Sequence, residues 1–286
     1  MAKYEYRRHT RSRVGNFFFF FFLILAGCFT LLPMVYTVLT SFKPLDELLA
    51  FPPRFFVYRP TVGNYTAIPT LLSNLKVPLS KYIFNSVFVT VVTVFFQIII
   101  SSLAAFVFSK MNLKGGRVLF LIVQFALLYN AYTLMIPQYV IFSRLHLVNT
   151  YWIYILPNLQ SCMGVFLIKQ YMDDSIPYAL LEAAKIDGAT NARSFWQIVM
   201  PNIKPAWLTL LLFSFSAMWS YQPSGTIFDE TLKTLPNVMS QISNGGIARS
   251  GSAMAASVIL MLPPIIVYFI SQSNVMETMS SAGIKD

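Results

Sequence analysis

Residues 82–108 read YIFNSVFVTVVTVFFQIIISSLAAFVF, running from Tyr82 to Phe108 without one Asp, Glu, Lys or Arg. A helix crossing a bilayer core needs about 20 mostly apolar residues, and this run exceeds that length. A strand of a membrane barrel would need only about 10 residues, apolar and polar in alternation. The run is too long and too continuous for that. Helices and closed barrels alone satisfy their backbone groups in lipid, so the stretch reads as a transmembrane helix and decides the fold class.

Five further runs extend the same reading along the chain: Phe17–Thr40, Val118–Phe142, Tyr151–Ile168, Ala206–Ser220 and Ala253–Ser271. The expectation is an all-α polytopic membrane protein with six transmembrane helices. It divides into a tail over residues 1–16, a six-span domain over 17–272 and a second tail over 273–286. Composition agrees: 56% of the residues are hydrophobic and 11% are charged, against about 25% charged in a soluble domain. The fifth run is short and ends at Trp219, Tyr221 and Pro223, which suits either an interfacial aromatic anchor or a broken helix beside a cavity.

Lysine and arginine near span ends mark the cytoplasmic side. Lys3, Arg7, Arg8, Arg11 and Arg13 precede the first run. Lys110, Lys114 and Arg117 separate the second from the third, and Lys169, Lys185, Arg193 and Lys204 separate the fourth from the fifth. Both termini and these loops are therefore expected in the cytoplasm of a bacterial cell, with the longer connections 41–81, 143–150 and 221–252 outside. The formal net charge of +10 reads as topology plus attraction to anionic lipid. No basic patch interleaved with base-stacking aromatics points to nucleic acid; the expected contact is the lipid bilayer. Leu25-Ala26-Gly27-Cys28 resembles a lipoprotein signal, but apolar sequence continues to Leu39. That makes a full span rather than a cleaved leader, and Cys28 a small apolar residue within it.

The sequence carries little chemistry of its own. Cys28 and Cys162 fall inside predicted spans, and His9 and His146 lie far apart without carboxylates or thiols at ligand spacing, so no metal site is expected. No catalytic constellation and no G-x-x-x-x-G-K-[ST] phosphate cradle occurs. The chain is therefore not expected to be an enzyme or to bind ATP. The predicted spans hold no charge in their central portions, which argues against a proton relay. They hold uncharged polar groups instead: Gln97, Ser101, Ser102, Gln124, Tyr129, Asn130, Tyr132, Asn158 and Gln160. Such groups either bond neighbouring helices or line a path for a neutral, hydroxyl-rich solute. Gln124, Tyr129, Asn130 and Trp219 are the candidate pathway residues. Pro33, Pro137, Pro157 and Pro263-Pro264 suit broken spans around a cavity.

The informative polar segment is residues 178–205. Asp173, Asp174 and Ser175 with Pro177 predict a helix start, with acids at its positive end. Tyr178–Ile186 is helix-forming, and Asp187-Gly188 supplies a turn in which glycine takes the left-handed conformation. Thr190 or Asn191 can cap a second helix, with Phe195, Ile198 and Val199 on one face and Pro201 as its stop. Ala183-Ala184 leaves a bare patch for close approach by another protein. A hairpin resting on lipid headgroups is the alternative reading.

Glu182-Ala183-Ala184, then Gly188, Ile198 and Met200-Pro201 at their spacing, resemble the EAA loop of ABC importer permeases, with Met200 where that family usually has Leu. Ser41-Phe42-Lys43-Pro44, Asn85-Ser86, Leu147-Val148-Asn149-Thr150-Tyr151 and the ending Thr278–Asp286 resemble the carbohydrate-uptake branch, of maltose-permease-G type. The resemblance implies a coupling helix that docks on an ATPase through Glu182, Ala183, Ala184, Asp187, Gly188, Ile198 and Pro201. It also implies a C-terminal tail that reaches the ATPases through Gly283, Ile284 and Lys285. The implied partners are a homologous second permease, two ATPase subunits holding ATP and Mg, and an extracytoplasmic solute-binding protein met at Asn244, Gly245 and Gly246. The implied solute is a sugar or oligosaccharide. A permease for another solute, a channel or secondary transporter, and an integral-membrane enzyme are the rival readings.

Overall fold

The computed structural model describes residues 13–73, 76–129, 131–223, 225–246 and 249–283, and every regular element among them is helical. α1 (Arg13–Ser41) is apolar along its length and unburied over its membrane-length window. α2 (Leu45–Leu48) and α3 (Gly63–Ser73) fold the first connection. α4 (Leu79–Lys110) is the central element and packs against α7 (Trp152–Leu159), α8 (Cys162–Ser175) and α12 (Lys204–Trp219). α13 (Leu235–Ser243) lies on α14 (Ser250–Gly283).

Among the described residues three helical segments are long and apolar enough to cross a membrane: Val14–Ser41, Leu79–Lys110 and Ser250–Gln272. The pair Asn191–Asn202 and Lys204–Trp219, bent by 77°, makes a fourth if it is one span. The third and fourth predicted spans are not continuous helices. Val118–Phe142 divides into α5 (Gly116–Ala126), a 3-10 turn at Ala131–Leu134 and α6 (Met135–Arg144). Pro137 then falls in the first turn of α6, where its missing amide would have had no helical partner. Tyr151–Ile168 divides at Gln160, whose ψ of 136° is extended. Ser161 restarts the chain as the cap of α8, its hydroxyl accepting from the Gly164 amide at 2.9 Å. The last helix differs in the other direction, since α14 continues from the expected span Ala253–Ser271 through the expected tail to Gly283.

The described residues form two apolar clusters in the interior. One joins α4 to α7, α8 and α12 through Ile98, Phe106, Ile153, Ile168, Val199 and Leu210; the other joins α3, α13 and α14 around Tyr82 and Trp219. Gly164 sets the closeness of the first. A Cβ there would stand 2.9 Å from both methyls of Leu210 and 2.9 Å from the Ser101 hydroxyl. Ser86, Thr90, Thr93, Gln97 and Ser101 recur at steps of three and four along one buried face of α4. Small hydroxyl side chains allow such helices to approach. Gln97, Ser101 and Ser102 thus sit between helices of this chain, and their oxygens have no hydrogen-bond partner among the described residues.

Candidate functional site

The segment read from sequence as a helical hairpin forms one, with a defined turn. α9 (Tyr178–Ile186) ends at Asp187, and Gly188 follows with φ +80°. The Gly188 amide donates to the Lys185 carbonyl at 3.1 Å and the Ala189 amide to the Ala184 carbonyl at 2.9 Å. This pair of bonds is the Schellman arrangement, which closes off a helix's last carbonyls and requires the left-handed residue. Thr190 caps α10 (Asn191–Ser194), its hydroxyl accepting from the Arg193 amide at 3.3 Å. The helix then widens into a π turn (Phe195–Val199) and closes in α11 (Met200–Asn202). Pro201 does not stop it: the chain stays helical to Asn202 and turns at Ile203 into α12. Phe195 and Val199 are buried against α4, while Ile198 is half-buried and Pro201 exposed.

The hairpin is stitched to the end of α4. The Tyr178 phenol donates to the Ser109 carbonyl at 2.7 Å, and the Lys110 ammonium donates to the Ile176 carbonyl at 2.7 Å and lies 4.6 Å from the centre of the Tyr178 ring. Asp173 accepts from the Ser109 hydroxyl and pairs with Lys169, both at 2.5 Å. Asp173 and Asp174 thus belong to the last turn of α8. They do not lead into α9, whose cap is Pro177 without a side-chain bond. Sequence reasoning missed this stitch, because its partners are 64 to 69 positions apart along the chain. Between α4 and the hairpin lies a pocket of about 230 Å³ lined in part by Lys110, Leu181, Glu182, Lys185 and Asn191. Glu182, Ala183, Asp187 and Gly188 are exposed on the hairpin, and Ala184 faces inward.

At the opposite end of the bundle, two asparagines each hold a pair of carbonyls. Asn64 donates to Ser41 and Lys43, and Asn85 to Thr231 and Lys233, all at 2.8 Å. The Leu235 amide donates to the Ser86 hydroxyl at 2.7 Å. Asn149, at φ +61°, accepts on its side chain from the Phe228 and Asp229 amides, and its own amide donates to the Thr226 carbonyl. Three stretches singled out in the sequence, at 41–44, 85–86 and 147–151, therefore act as clasps on the connections between helices. Within the last of these connections, bonds from the Thr231 amide and hydroxyl hold the Asp229 carboxyl below the usual carboxylate range.

The remaining candidates are scattered. Trp219 is 5% exposed, its indole donates to the Leu260 carbonyl at 3.0 Å, and its ring stacks on Phe215. It is packed inside the chain and not set on an open wall. Gln124 is half-buried on α5, Tyr129 is exposed beyond its end, and Asn130 lies outside the described residues. Asn244, Gly245 and Gly246 form an exposed turn after α13, with Gly246 at φ +85°. Gly283 ends α14, and Ile284 and Lys285 lie outside the described residues. Among the described residues no group of three or more His, Cys, Asp or Glu could hold a metal ion.

A family model described as "binding-protein-dependent transport system inner membrane component" matches residues 97–280, from the middle of α4 through the hairpin and most of α14. The chain belongs to that family. It is a multi-pass membrane protein and the permease subunit of an ABC importer, a transport component that works within a binding-protein-dependent system. Its relatives include the galactooligosaccharides transport system permease protein GanQ of Bacillus subtilis, 27% identical with 100% of this chain and 99% of that one covered. The sulfoquinovosyl glycerol transport system permease protein SmoH of Agrobacterium fabrum is 28% identical, with 94% and 93% covered. A solved chain from a bacterial ABC transporter involved in the import of the acidic polysaccharide alginate superposes with a TM-score of 0.75. It is 22% identical, covers 92% of this chain and is itself 98% covered, and it shares the fold.

Proposed function

We propose that this permease forms half of the translocation pathway for a sugar or oligosaccharide handed over by an extracytoplasmic binding protein. The observation that carries the coupling role is the Schellman-turned hairpin, stitched to α4 and presenting Glu182, Ala183, Asp187 and Gly188 outward. In this reading the domain over 17–272 spans the cell membrane six times, and its two split spans, α5–α6 and α7–α8, are suited to lining a cavity. The 178–205 loop and both terminal tails face the cytoplasm. The hairpin docks on one of two ATPase subunits, which hold the ATP and Mg, and Gly283, Ile284 and Lys285 add a second contact. A homologous second permease completes the path, and the Asn244–Gly246 turn meets the binding protein. The sugar assignment is supported by relatives that are named for galactooligosaccharides and arabinooligosaccharides.

Reconstitution of the chain with its second permease, ATPases and binding protein tests this. Uptake of a labelled oligosaccharide that requires ATP hydrolysis is the expected result. Uptake that continues without ATP would make the chain a channel or secondary carrier.

A further inference from the structure

At the end of the bundle away from the hairpin, α6, α7 and the chain following α12 enclose a half-open cavity of about 300 Å³. Its walls include Gln138, Tyr139 and Phe142 from α6, and Tyr221 and Thr226 from the connection. Among the described residues none that lines it is charged. Thr226 is 8% exposed, and its hydroxyl has no hydrogen-bond partner among the described residues. A buried hydroxyl left unpaired calls for an explanation, and a polar group of a molecule that the cavity binds is one. Its backbone is fixed, because the Thr226 carbonyl accepts from the Asn149 amide at 2.9 Å.

A mostly apolar wall with a few convergent polar groups is the usual make-up of a small-molecule site, and about 300 Å³ is the lower end of the usual size. Three classes of occupant differ in what they would leave unmatched. A lipid tail would fill the apolar wall but leave the Thr226 hydroxyl and the Gln138 amide without partners. A zwitterion or a carboxylated solute would be desolvated with no counter-charge. A neutral pyranose fits both requirements: its C–H faces pack on tyrosine rings and its hydroxyls exchange bonds with an amide and a hydroxyl. A second, more polar pocket of about 210 Å³ shares Pro223 and Gly225 as walls and is lined in part by Gln222, Lys233, Asn237 and Gln241, with the Lys233 ammonium already paired to Glu230 at 2.5 Å. It leaves room for an adjoining ring.

We propose that this cavity binds one neutral sugar unit of the transported solute at the mouth of the pathway, with Tyr139 and Tyr221 as stacking surfaces and Gln138 and Thr226 as hydrogen-bond partners. This rests on the carbohydrate reading above. Saturation-transfer NMR on the permease–ATPase complex in nanodiscs, without binding protein, reads the site using galactobiose, arabinobiose and digalacturonate as probes. Uptake of the same three into proteoliposomes with binding protein reads the carbohydrate assignment separately. The expected result is transfer to a neutral disaccharide that is also taken up, and none to digalacturonate. Thr226→Val should cut the transfer about fivefold, the effect of one neutral hydrogen bond, and Thr226→Ser should keep it. Tyr139→Leu, on the exposed side of α6, should cut it as well. If a neutral disaccharide is taken up but shows no transfer, or keeps full transfer in both variants, the cavity is not a sugar site and the permease function stands. Transfer to digalacturonate alone overturns the neutral ligand. If none of the three is taken up, the carbohydrate reading falls and the site with it.

Discussion

The phenol of Tyr151 donates to Oδ1 of Asn85 at 2.8 Å, which leaves both amide hydrogens of Asn85 for the Thr231 and Lys233 carbonyls. One buried side chain thus ties the start of α4 to two separate connections. Asn85→Leu keeps the volume and removes every bond, stranding a phenol and two carbonyls. Each buried group left unpaired costs about 1–3 kcal/mol. The variant should reach the membrane at reduced level and lose monodispersity at lower temperature on size-exclusion after heating. An unchanged midpoint would mean that water replaces the amide.

Gly164 tests the packing of α8 between α4 and α12. Its added Cβ would meet the Leu210 methyls and the Ser101 hydroxyl at 2.9 Å, and overpacking of this kind costs about 1–3 kcal/mol. Gly164→Ala should lower thermal stability, and adding Leu210→Ala should recover part of the loss. A double-mutant cycle isolates the coupling. Strictly additive losses would show that α8 shifts freely, so that the contact is not limiting.

How much of this was legible in the sequence depended on the range of the interaction. α1, α4 and α14 could be read because their apolar runs exceed a span. The hairpin could be read because Asp187-Gly188 and Thr190 act on neighbours a few residues away. The prolines suited broken spans, but where the chain breaks, after Ala126 and at Gln160-Ser161, was hidden, because mean hydropathy passes over these positions. The effect of a proline also depends on which turn it occupies. α13 lies within the connection expected over 221–252, although Leu235, Val238, Met239 and Ile242 repeat at the helical period; nine residues are too few to stand out. The Asn85 clasp could not be seen, since its carbonyl partners lie 146 and 148 residues away.

Membrane topology is open to direct measurement. In a background with Cys28 and Cys162 replaced by serine, single cysteines at Pro60 and Gly245 should react with an impermeant maleimide in intact cells. Cysteines at Lys114 and Asp187 should react only after the membrane is opened. The assignment follows the lysines and arginines of the 110–117 and 178–205 connections. Labelling of Asp187→Cys from outside would invert the orientation and remove the hairpin from any cytoplasmic ATPase.

The coupling role makes the sharpest demand. A Cβ on Gly188 would meet no other atom of the described residues within 4 Å, so substitution there acts through the backbone alone. Holding a side chain at φ +80° costs roughly 1–2 kcal/mol, and relief of that strain would open the Schellman turn and swing α9 away from α10. Glu182 acts differently. It is exposed beside the Ala183 patch and forms no ion pair among the described residues, so its carboxylate is free to meet a cation on a partner. Losing one member of a buried charge pair at an interface costs about 2–5 kcal/mol. Neither site lies in a span, so Gly188→Val and Glu182→Lys should both reach the membrane at normal level. Both should lose ATP-driven uptake, and co-purification of the ATPase should fall further with Glu182→Lys, where a cation replaces the carboxylate. Immunoblotting, uptake and affinity co-purification together give the answer. Full uptake in both variants would mean that the hairpin rests on headgroups and that the ATPase docks elsewhere on this chain.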